Sequence, residues 1–163
     1  MKIGLTGDTH NNLKNVAKIC DIFNSYDLDF VIHTGDISLP KTLKAFDLLN
    51  VPLKGVFGNN DQGEKKELLE VCDDRGFIFQ DILEIKISEK RFLFAVHDPS
   101  DIEDRFYKSG NIIVHGHTHR FRDEIYKGTF IFNPGECAGI MKGKNSVGII
   151  DTSDNPKMEI INF

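Results

Sequence analysis

The first half of the chain alternates between short apolar runs and helical patterns, and no other sequence feature limits the fold as strongly. The apolar runs cover residues 3–5, 30–32 and 53–57. The helical patterns comprise one capped by Asn11 or Asn12, one from Pro40 to Leu49, and one from about residue 64 to Gly76. Strands that alternate with helices in this way predict a parallel sheet.

The second half of the chain is mostly strands joined by short turns, such as that at residues 126–129. Its apolar runs cover residues 82–87, 92–96, 112–114, 130–132 and 147–150. We therefore expect two stacked sheets flanked by helices. Because no internal repeat, linker or charged block marks a boundary, residues 1–163 are expected to form a single domain.

Composition narrows the range of partners. With 40% hydrophobic and 28% charged residues, the chain is typical of a globular protein rather than a disordered one. A formal charge of −5 provides no basic surface for extended nucleic-acid binding. One cation-lined cleft can still attract a small phosphate-bearing ligand, because such a cleft overrides the global charge locally.

Location and redox chemistry follow from two further features. The N-terminal apolar run is too short for a signal peptide and no run is long enough to span a bilayer, so a cytoplasmic protein without membrane contact is expected. The three cysteines are far apart and lack CxxC spacing, which argues against disulfides and a thiolate zinc site. Cys20 and Cys72 are expected in the core, whereas the role of Cys137 stays open.

Short polar residues follow five of the predicted strands. They are Asp8 and His10, then Asp36, then Asn59, Asn60 and Asp61, then His97 and Asp98, and finally His117 and His119. In an open α/β sheet, ligands bind beyond the carboxyl ends of the strands. Each short motif alone is an ordinary turn sequence. Together they offer the oxygen and nitrogen ligands that borderline divalent metals favour, and two cations would satisfy them all.

The chain resembles the calcineurin-like metallophosphoesterases in five motifs, which occur in the order Asp8-x-His10, Gly35-Asp36, Gly58-Asn59-x-Asp61, His97 and Gly116-His117-x-His119. The Asn133-Pro134-Gly135 turn is similar to one in the small prokaryotic phosphodiesterase branch of this family. The resemblance implies an α/β (α+β) fold class, namely an αββα sandwich of two mixed β-sheets flanked by helices.

The same resemblance implies a dinuclear metal site. One divalent ion would be held by Asp8, His10, Asp36 and His119, and the other by Asp36, Asn59, His97 and His117, with Asp36 bridging. It further implies a metal-dependent phosphoric ester hydrolase, of the phosphodiesterase type, that acts by in-line attack of a metal-bridging hydroxide. No sequence motif for a protein nucleophile is present, which agrees with this mechanism.

The residue types also bear on the cofactor and the substrate. Histidine and amide ligands beside carboxylates suit Mn²⁺, Ni²⁺, Co²⁺, Fe²⁺ or Zn²⁺ better than Mg²⁺. Two divalent ions against two ligand carboxylates leave a positive site, which would attract a small phosphodiester or nucleotide-like substrate. Homo-oligomerisation is left open by the sequence.

The chain departs from the family pattern at two positions. Asn60 stands where most members have a histidine that protonates the leaving oxygen, so turnover of poor leaving groups is expected to be modest. Asn60 and its neighbour Asp61 are the predicted catalytic residues, and Asp61 either holds the loop or simply caps a turn. Asp98 replaces a usual glycine and either meets the substrate or points to solvent. His33 and His115 are expected within strands as supporting or core residues.

Three rival functions were weighed against these residues. A histidine-triad hydrolase would leave Asp8 and Asp36 without a role, and an HD-domain dyad at His97-Asp98 belongs to an all-helical fold. The rival from another class is a non-catalytic protein-binding scaffold, the use that the eukaryotic retromer subunit makes of this fold with an eroded metal site. The ligand set discriminates between the scaffold and the enzyme, and all seven proposed ligands are present in this sequence.

Overall fold

The computed structural model describes residues 1–163. Eleven strands and three α-helices follow one another along the chain: β1 (Lys2–Thr6), α1 (Leu13–Asn24), β2 (Phe30–His33), α2 (Pro40–Lys44), β3 (Leu53–Val56), α3 (Lys65–Arg75), β4 (Ile78–Gln80), β5 (Leu83–Ser88), β6 (Arg91–Ala95), β7 (Ile112–Val114), β8 (Arg122–Tyr126), β9 (Thr129–Asn133), β10 (Ser146–Asp151) and β11 (Lys157–Asn162). Short 3₁₀ segments lie at Ala45–Leu48, Asn59–Glu64, Pro99–Asp101 and Asp104–Phe106.

The strands form two mixed sheets, as predicted. The first has six strands in the order β11-β10-β1-β2-β3-β4, in which β1 to β4 are parallel and β10 is antiparallel to both of its neighbours, β1 and β11. The second has the order β5-β6-β7-β9-β8, with a parallel centre of β6, β7 and β9 between two antiparallel edge strands. The parallel centres bring the carboxyl ends of β1, β2, β3, β6 and β7 to the places where the polar motifs follow.

Three apolar clusters hold the layers together. The cluster between the sheets joins residues such as Leu5 and Ile32 of the first sheet to Ala95 and Val114 of the second. A larger cluster packs the helices on the outer face of the first sheet, and a smaller one lies on the outer face of the second. Burial of both sheet faces explains why the central strands read as continuous apolar runs.

The outer layer of the second sheet differs in kind from that of the first. It contains no α-helix, since the connection from β6 to β7 forms only the 3₁₀ segments Pro99–Asp101 and Asp104–Phe106. Phe106 from this connection is fully buried and stacks on Phe94 of β6, with ring centroids 4.2 Å apart. The predicted fold class is confirmed, with this outer layer made of short 3₁₀ segments instead of α-helices.

The structure agrees with the predicted cap of α1 and the predicted end of α3, but not with the predicted length of α2. Asn12 caps α1 by accepting a hydrogen bond from the backbone N–H of Asn15, and Gly76 ends α3 with a left-handed φ of 68°. The helix that begins at Pro40 is shorter than predicted, because a 3₁₀ segment replaces its second half. The side chain of Asn24 donates to the carbonyl of Leu48 at 2.7 Å, which satisfies an acceptor at the end of that segment.

Three strands, β4, β8 and β11, have no predicted counterpart. All three lie at sheet edges. In β8 no residue is buried, so its sequence lacks the apolar run that marks a central strand.

All three cysteines are free and buried, as expected for Cys20 and Cys72. Cys137 belongs to the same helix-side cluster, where its thiol donates to the carbonyl of Ser146 at 3.0 Å. Burial raises the pKa of Cys137 to about 12, so this thiol packs rather than acting as a nucleophile. None of the helices combines the length and the apolar character that crossing a membrane requires.

Candidate functional site

All seven predicted metal ligands lie just beyond strand ends. The first sheet presents Asp8 and His10 after β1, Asp36 after β2 and Asn59 after β3, and the second presents His97 after β6 and His117 and His119 after β7. Hydrogen bonds and ion-pair contacts connect the side chains from both sheets into one group. Residues more than 100 positions apart in the sequence are thereby brought together.

The backbone at these positions is unusual. Positive φ angles occur at five of the predicted ligands, namely Asp8, His10, Asp36, His117 and His119. Non-glycine residues seldom adopt this region, although Asp and His are enriched there, and such conformations concentrate at functional sites. The tight turns direct each side chain back over the strand ends.

Glycines before the ligands allow the loops to approach closely. A Cβ atom added at Gly58 would lie 2.2 Å from Oδ1 of Asp36, and one at Gly116 would lie 2.6 Å from Oδ2 of Asp8. Neither gap accommodates a methyl group. The Gly-Asn and Gly-His sequences therefore serve contacts between loops that are distant in sequence, in addition to turning the chain.

Asp8, His10 and His119 form the first group, which we call the His119 cluster. Nε2 of His10 lies 3.3 Å from Nε2 of His119, and the two rings stack with centroids 5.2 Å apart. Oδ1 of Asp8 lies 3.8 Å from Nε2 of His119. One ligand atom from each of these three residues lies within 4.8 Å of the others, which is compact enough to surround a cation.

Asn59, His97 and His117 form the second group, which we call the His117 cluster. Oδ1 of Asn59 lies 2.9 Å from Nε2 of His97 and 3.2 Å from Nδ1 of His117. The two imidazole nitrogens are themselves 3.2 Å apart. Three potential ligand atoms therefore face one another from three different strand ends.

Asp36 lies between the two clusters. Its Oδ2 is 3.5 Å from Nε2 of His10, and its Oδ1 is 3.5 Å from Nε2 of His97. Each oxygen thus faces one histidine, and the two histidines belong to different clusters. A carboxylate that bridges two ions requires this arrangement. Asp8 also lies within 4.8 Å of Asp36 and His97, so the two clusters are closer together than separate ligand sets would imply.

The electrostatics of the site suit bound cations. Asp8 and Asp36 are almost completely buried, and their ion-pair partners within the chain are all histidines. Burial, reinforced by the charge of Asp36, raises the pKa of Asp8 to about 8. Burial and the neighbouring His10 lower the pKa of His119. Close carboxylates without Lys or Arg, together with the neighbouring imidazoles, form a donor set that fits divalent metals.

Three of the four histidines have a second partner behind the ring. Nδ1 of His97 lies 2.8 Å from the carbonyl of Thr34, and Nε2 of His117 lies 3.3 Å from Oδ2 of Asp98. Nδ1 of His119 lies 3.8 Å from Oε1 of Glu136. Such partners orient an imidazole so that its other nitrogen is free to bind a metal.

Glu136 is the site residue that sequence reasoning missed. It is 1% exposed and directly follows the Asn133-Pro134-Gly135 turn, which was the one available signal. Asp98 contacts His117 and also accepts a hydrogen bond from the backbone of Ser100 at 2.7 Å. That hydrogen bond lowers the pKa of Asp98.

Asp61 connects the loops after β2 and β3. Its carboxylate accepts backbone hydrogen bonds from Asp36 at 2.9 Å, Ser38 at 2.6 Å and Gly58 at 2.7 Å. Burial raises its pKa while these hydrogen bonds oppose the rise. Asp61 therefore supports both loops, which is more than capping a single turn.

Asn60 contacts the shared carboxylate directly. Its side-chain amide donates to Oδ2 of Asp36 at 2.7 Å, and its backbone N–H donates to Oδ1 at 2.9 Å. Both oxygens of Asp36 are consequently held in place by one residue. The amide has no ionisable proton to give to a leaving group.

His33 and His115 lie outside the two clusters. His33 ends β2, accepts the backbone N–H of Gly35 at its Nδ1, and meets the hydroxyl of Thr9 at its Nε2. Burial lowers the pKa of His33 to about 3. His115 follows β7 instead of lying within it, and its Nε2 contacts Arg122. Both residues contact neighbouring segments without joining either cluster, in agreement with their predicted supporting role.

Comparisons with known proteins agree with this geometry. The family model for the calcineurin-like phosphoesterase superfamily domain matches residues 1–155. The chain is 34% identical over 165 residues to phosphodiesterase MJ0936 of Methanocaldococcus jannaschii, covering 99% of each chain.

Solved structures extend the comparison to the fold. A structure described as a novel archaeal phosphodiesterase superposes with a TM-score of 0.79 at 31% identity, covering 99% of this chain and 100% of the other. Yfce, a phosphoesterase from E. coli, superposes with a TM-score of 0.74 at 20% identity, covering 99% and 98% of the two chains. The second likeness concerns the fold alone.

Proposed function

The chain belongs to the calcineurin-like phosphoesterase superfamily, and from that premise we propose that it is a metal-dependent phosphodiesterase with two divalent ions. The observation that carries this proposal is the convergence of two carboxylates, one carboxamide and four imidazoles from five strand ends. This convergence supports hydrolysis over the non-catalytic scaffold, because binding a protein partner does not require seven potential metal-ligating side chains in one place.

The donor set divides naturally between two ions. We propose that Asp8, His10, Asp36 and His119 hold the first and that Asp36, Asn59, His97 and His117 hold the second. Asp36 facing one histidine of each cluster supports its role as the bridge. When bound, such a pair of ions lowers the pKa of water and offsets the negative charge of a phosphate group. Mn²⁺, Ni²⁺, Co²⁺, Fe²⁺ and Zn²⁺ are the proposed ions, since their preferences match mixed oxygen and nitrogen ligands.

The other residues act by holding this set in place. Asn60 fixes both oxygens of Asp36, and Asp61 fixes the loops that carry Asp36 and Asn59. Neither supplies a proton by itself, because Asn60 does not ionise and all three hydrogen bonds to Asp61 come from backbone N–H groups. The proposed substrate is therefore a small phosphodiester with a good leaving group, which departs without a protein acid.

Further proposals concern the chain as a whole. We propose one domain over residues 1–163, which the match of the family model to residues 1–155 supports. Cytoplasmic location stays a prediction of the sequence, and the oligomeric state stays open.

The test is metal removal and replacement. Exhaustive chelation, checked by elemental analysis, should abolish hydrolysis of bis(p-nitrophenyl) phosphate, and Mn²⁺, Ni²⁺ or Co²⁺ should restore it better than Mg²⁺. Two ions per chain should bind at saturation. Full activity in the verified metal-free protein would contradict the proposal, as would hydrolysis that continued unchanged in an Asp36→Asn variant.

A further inference from the structure

Two clefts of different chemistry open beside the ligand clusters. The larger, about 540 Å³, adjoins the His119 cluster and is lined by His119, Arg120, Phe121, Met141, Lys144 and Asn162, among others. We call it the Phe121 cleft. The other, about 480 Å³, adjoins the His117 cluster, and we call it the Asp98 cleft. A group attached to a phosphate at the clusters would extend into one or the other.

The Phe121 cleft offers apolar contact surface that the chain itself does not cover. The Phe121 side chain is 58% exposed and Met141 is 42% exposed, and both line the cleft. An exposed aromatic ring beside a flexible thioether favours a planar aromatic ligand, because both side chains make close contact with a ring face. Volumes of about 300–1,000 Å³ are usual for sites that bind small molecules.

Charge separates the two clefts. The Phe121 cleft contains two cations, Arg120 and Lys144, against the one buried carboxylate of Glu136, and neither cation forms an ion pair within the chain. The Asp98 cleft contains three carboxylates, those of Asp81, Asp98 and Asp101, against one lysine. A negatively charged substrate is therefore drawn to the Phe121 side and repelled from the other.

Polar groups in the Phe121 cleft distinguish a nucleoside from a hydrocarbon. Oε2 of Glu136, which also lines this cleft, is buried and has no hydrogen-bond partner. If the carboxylate turned toward the cleft, this acceptor would gain from a donor such as a sugar hydroxyl or a base amino group. A hydrocarbon chain would leave Glu136 unsatisfied and would offer nothing to the amide of Asn162.

From these observations we propose that the Phe121 cleft binds the nucleoside part of a phosphodiester substrate, with the base against Phe121 and Met141. Arg120 and Lys144 then face any additional phosphate of the substrate. The inference rests on the proposed function in taking the scissile phosphate to lie at the two clusters. It adds the substrate class, namely nucleotide diesters in which the nucleoside stays on the phosphate and a better leaving group departs, and the side of the site on which the nucleoside lies.

The test compares two probes that differ only by the base. Adenosine 5′-(methyl phosphate) and ribose 5-(methyl phosphate) carry the same diester, and their Kd values are measured by calorimetry on the metal-free and the Mn²⁺-loaded protein. The adenosine probe should bind at least about tenfold more tightly, since stacking of a base on an aromatic side chain has an effect of this order.

Variants of the cleft residues test whether the base binds at Phe121 and Met141. Phe121→Ala should reduce the ratio of the two Kd values to below about threefold, and Met141→Ala should reduce it less. Tyr126→Ala is the matched control, because Tyr126 is an exposed aromatic at the other end of the same segment and packs against Tyr107. It should leave the ratio unchanged. Both Phe121 and Met141 are well exposed, so their truncation does not remove core packing.

The outcomes separate this inference from the proposed function. Equal Kd values for the two probes, or a ratio that Phe121→Ala leaves intact, would overturn the inference even if bis(p-nitrophenyl) phosphate is cleaved. A dimer that sedimentation shows to depend on Phe121 would also overturn it, because a second copy would then occupy the cleft. Base-dependent binding without cleavage of any diester would support the cleft and refute the proposed hydrolysis.

Discussion

The two halves of the site use the same side-chain chemistry in different surroundings. In the His119 cluster the carboxylates of Asp8 and of the supporting Glu136 are both 1% exposed, and the His119 side chain is 20% exposed. In the His117 cluster, His117 is 41% exposed and its partner Asp98 is 35% exposed. The first half therefore contains buried carboxylates. In the second half His97 is buried as well, but His117 and Asp98 are open to water, and the proposed oxygen ligand there is a neutral amide, Asn59.

From this difference we expect the two proposed cation sites to be unequal. Water screens charges at the His117 cluster, whereas burial leaves the charges of the His119 cluster unscreened. We expect the His119 half to bind its ion more tightly and the His117 half to exchange its ion more readily. Asp36 connects the two halves, so a substitution at this position should weaken the binding of both ions.

The largest effect is expected from Asp36→Asn. Asparagine tolerates the left-handed backbone at this position, where φ is 57°, and it keeps the size of the side chain. Loss of the shared charge should lower kcat/KM by more than about 100-fold, beyond the effect of a supporting residue, and should weaken both ions. Elemental analysis and hydrolysis of bis(p-nitrophenyl) phosphate measure the two effects.

Single-cluster variants provide the comparison for Asp36. His10→Ala and His97→Ala should each weaken mainly one ion and reduce activity less than Asp36→Asn does. Asp73→Asn, an exposed position on α3, is the control for loss of one carboxylate. Retention of two ions and near-native turnover by Asp36→Asn would rule out the bridge.

The next effect compares the two supporting carboxylates. Glu136→Gln should lower metal affinity by about 10–100-fold in the His119 half, because this carboxylate is buried behind His119. Asp98→Asn should change affinity in the other half by less than about tenfold, since water can replace the contact to His117. Calorimetric titration of the metal-free protein measures both affinities.

Nitrogen NMR of the metal-free protein adds a readout that a purely structural role would not change. The ring tautomer of His119 should shift in Glu136→Gln, and that of His117 should shift in Asp98→Asn. Asp101→Asn is the matched control, as Asp101 lines the same cleft as Asp98 but pairs with neither histidine. Equal losses in both halves would show that burial does not distinguish them.

A smaller effect is expected from Asn60→His. An imidazole at this position can donate a proton to a poor leaving group, so kcat on alkyl monoesters should rise by about tenfold while KM changes little. Asn60→Ala is the control, since it loses the same amide contact to Asp36 without gaining an acid. Steady-state kinetics on alkyl monoesters and bis-aryl diesters measure the difference in kcat between the two substrate classes. Wild-type preference for alkyl monoesters would show that another group already supplies the proton.

The smallest effect is on stability of the metal-free protein. Asp8 has a folded pKa of about 8 against about 4 when unfolded, so the folded state binds more protons and stability falls as pH rises between these values. Buried His33 acts in the opposite direction, but only below about pH 6.5, because its folded pKa is lowered to about 3. From pH 6.5 to 8 the change of stability with pH should therefore come from Asp8, without the opposing effect of His33.

Thermal unfolding over this window measures the contribution. Tm of the metal-free protein should fall by a few degrees from pH 6.5 to pH 8, and Asp8→Asn should flatten the slope. Added Mn²⁺ should reduce the fall, because the ion replaces the proton on Asp8. The oxygen ligand of the other half, Asn59, does not titrate, so a slope that persists in Asp8→Asn would show that the burial of Asp8 is not its cause.

Much of the fold follows from local patterns. The central strands are buried on both faces, and therefore their apolar runs stand out in the sequence, whereas β8 pairs at an exposed edge with polar residues and gives no such signal. The helix from Pro40 was predicted too long because only tertiary contacts, such as those of Asn24 with Leu48 and Asn50, end it.

The candidate site shows the same limit. Each of the seven proposed ligands follows an apolar run, so their types and order could be taken from the sequence and from its resemblance to a family, although their role as ligands stays a prediction. Glu136 and Asp98 act through contacts with histidines 17 and 19 positions away in the sequence, and no spacing rule relates these pairs.

The sequence by itself determined which side chains stand at the strand ends, because strand termination and turn formation depend on neighbouring residues. Only the tertiary structure decided how these side chains divide into a buried cluster and an exposed one, and which cleft lies beside each. Burial and charge depend on which loops meet across the two sheets. These loops meet because segments far apart in the chain pack against each other, and no local sequence pattern indicates such contacts.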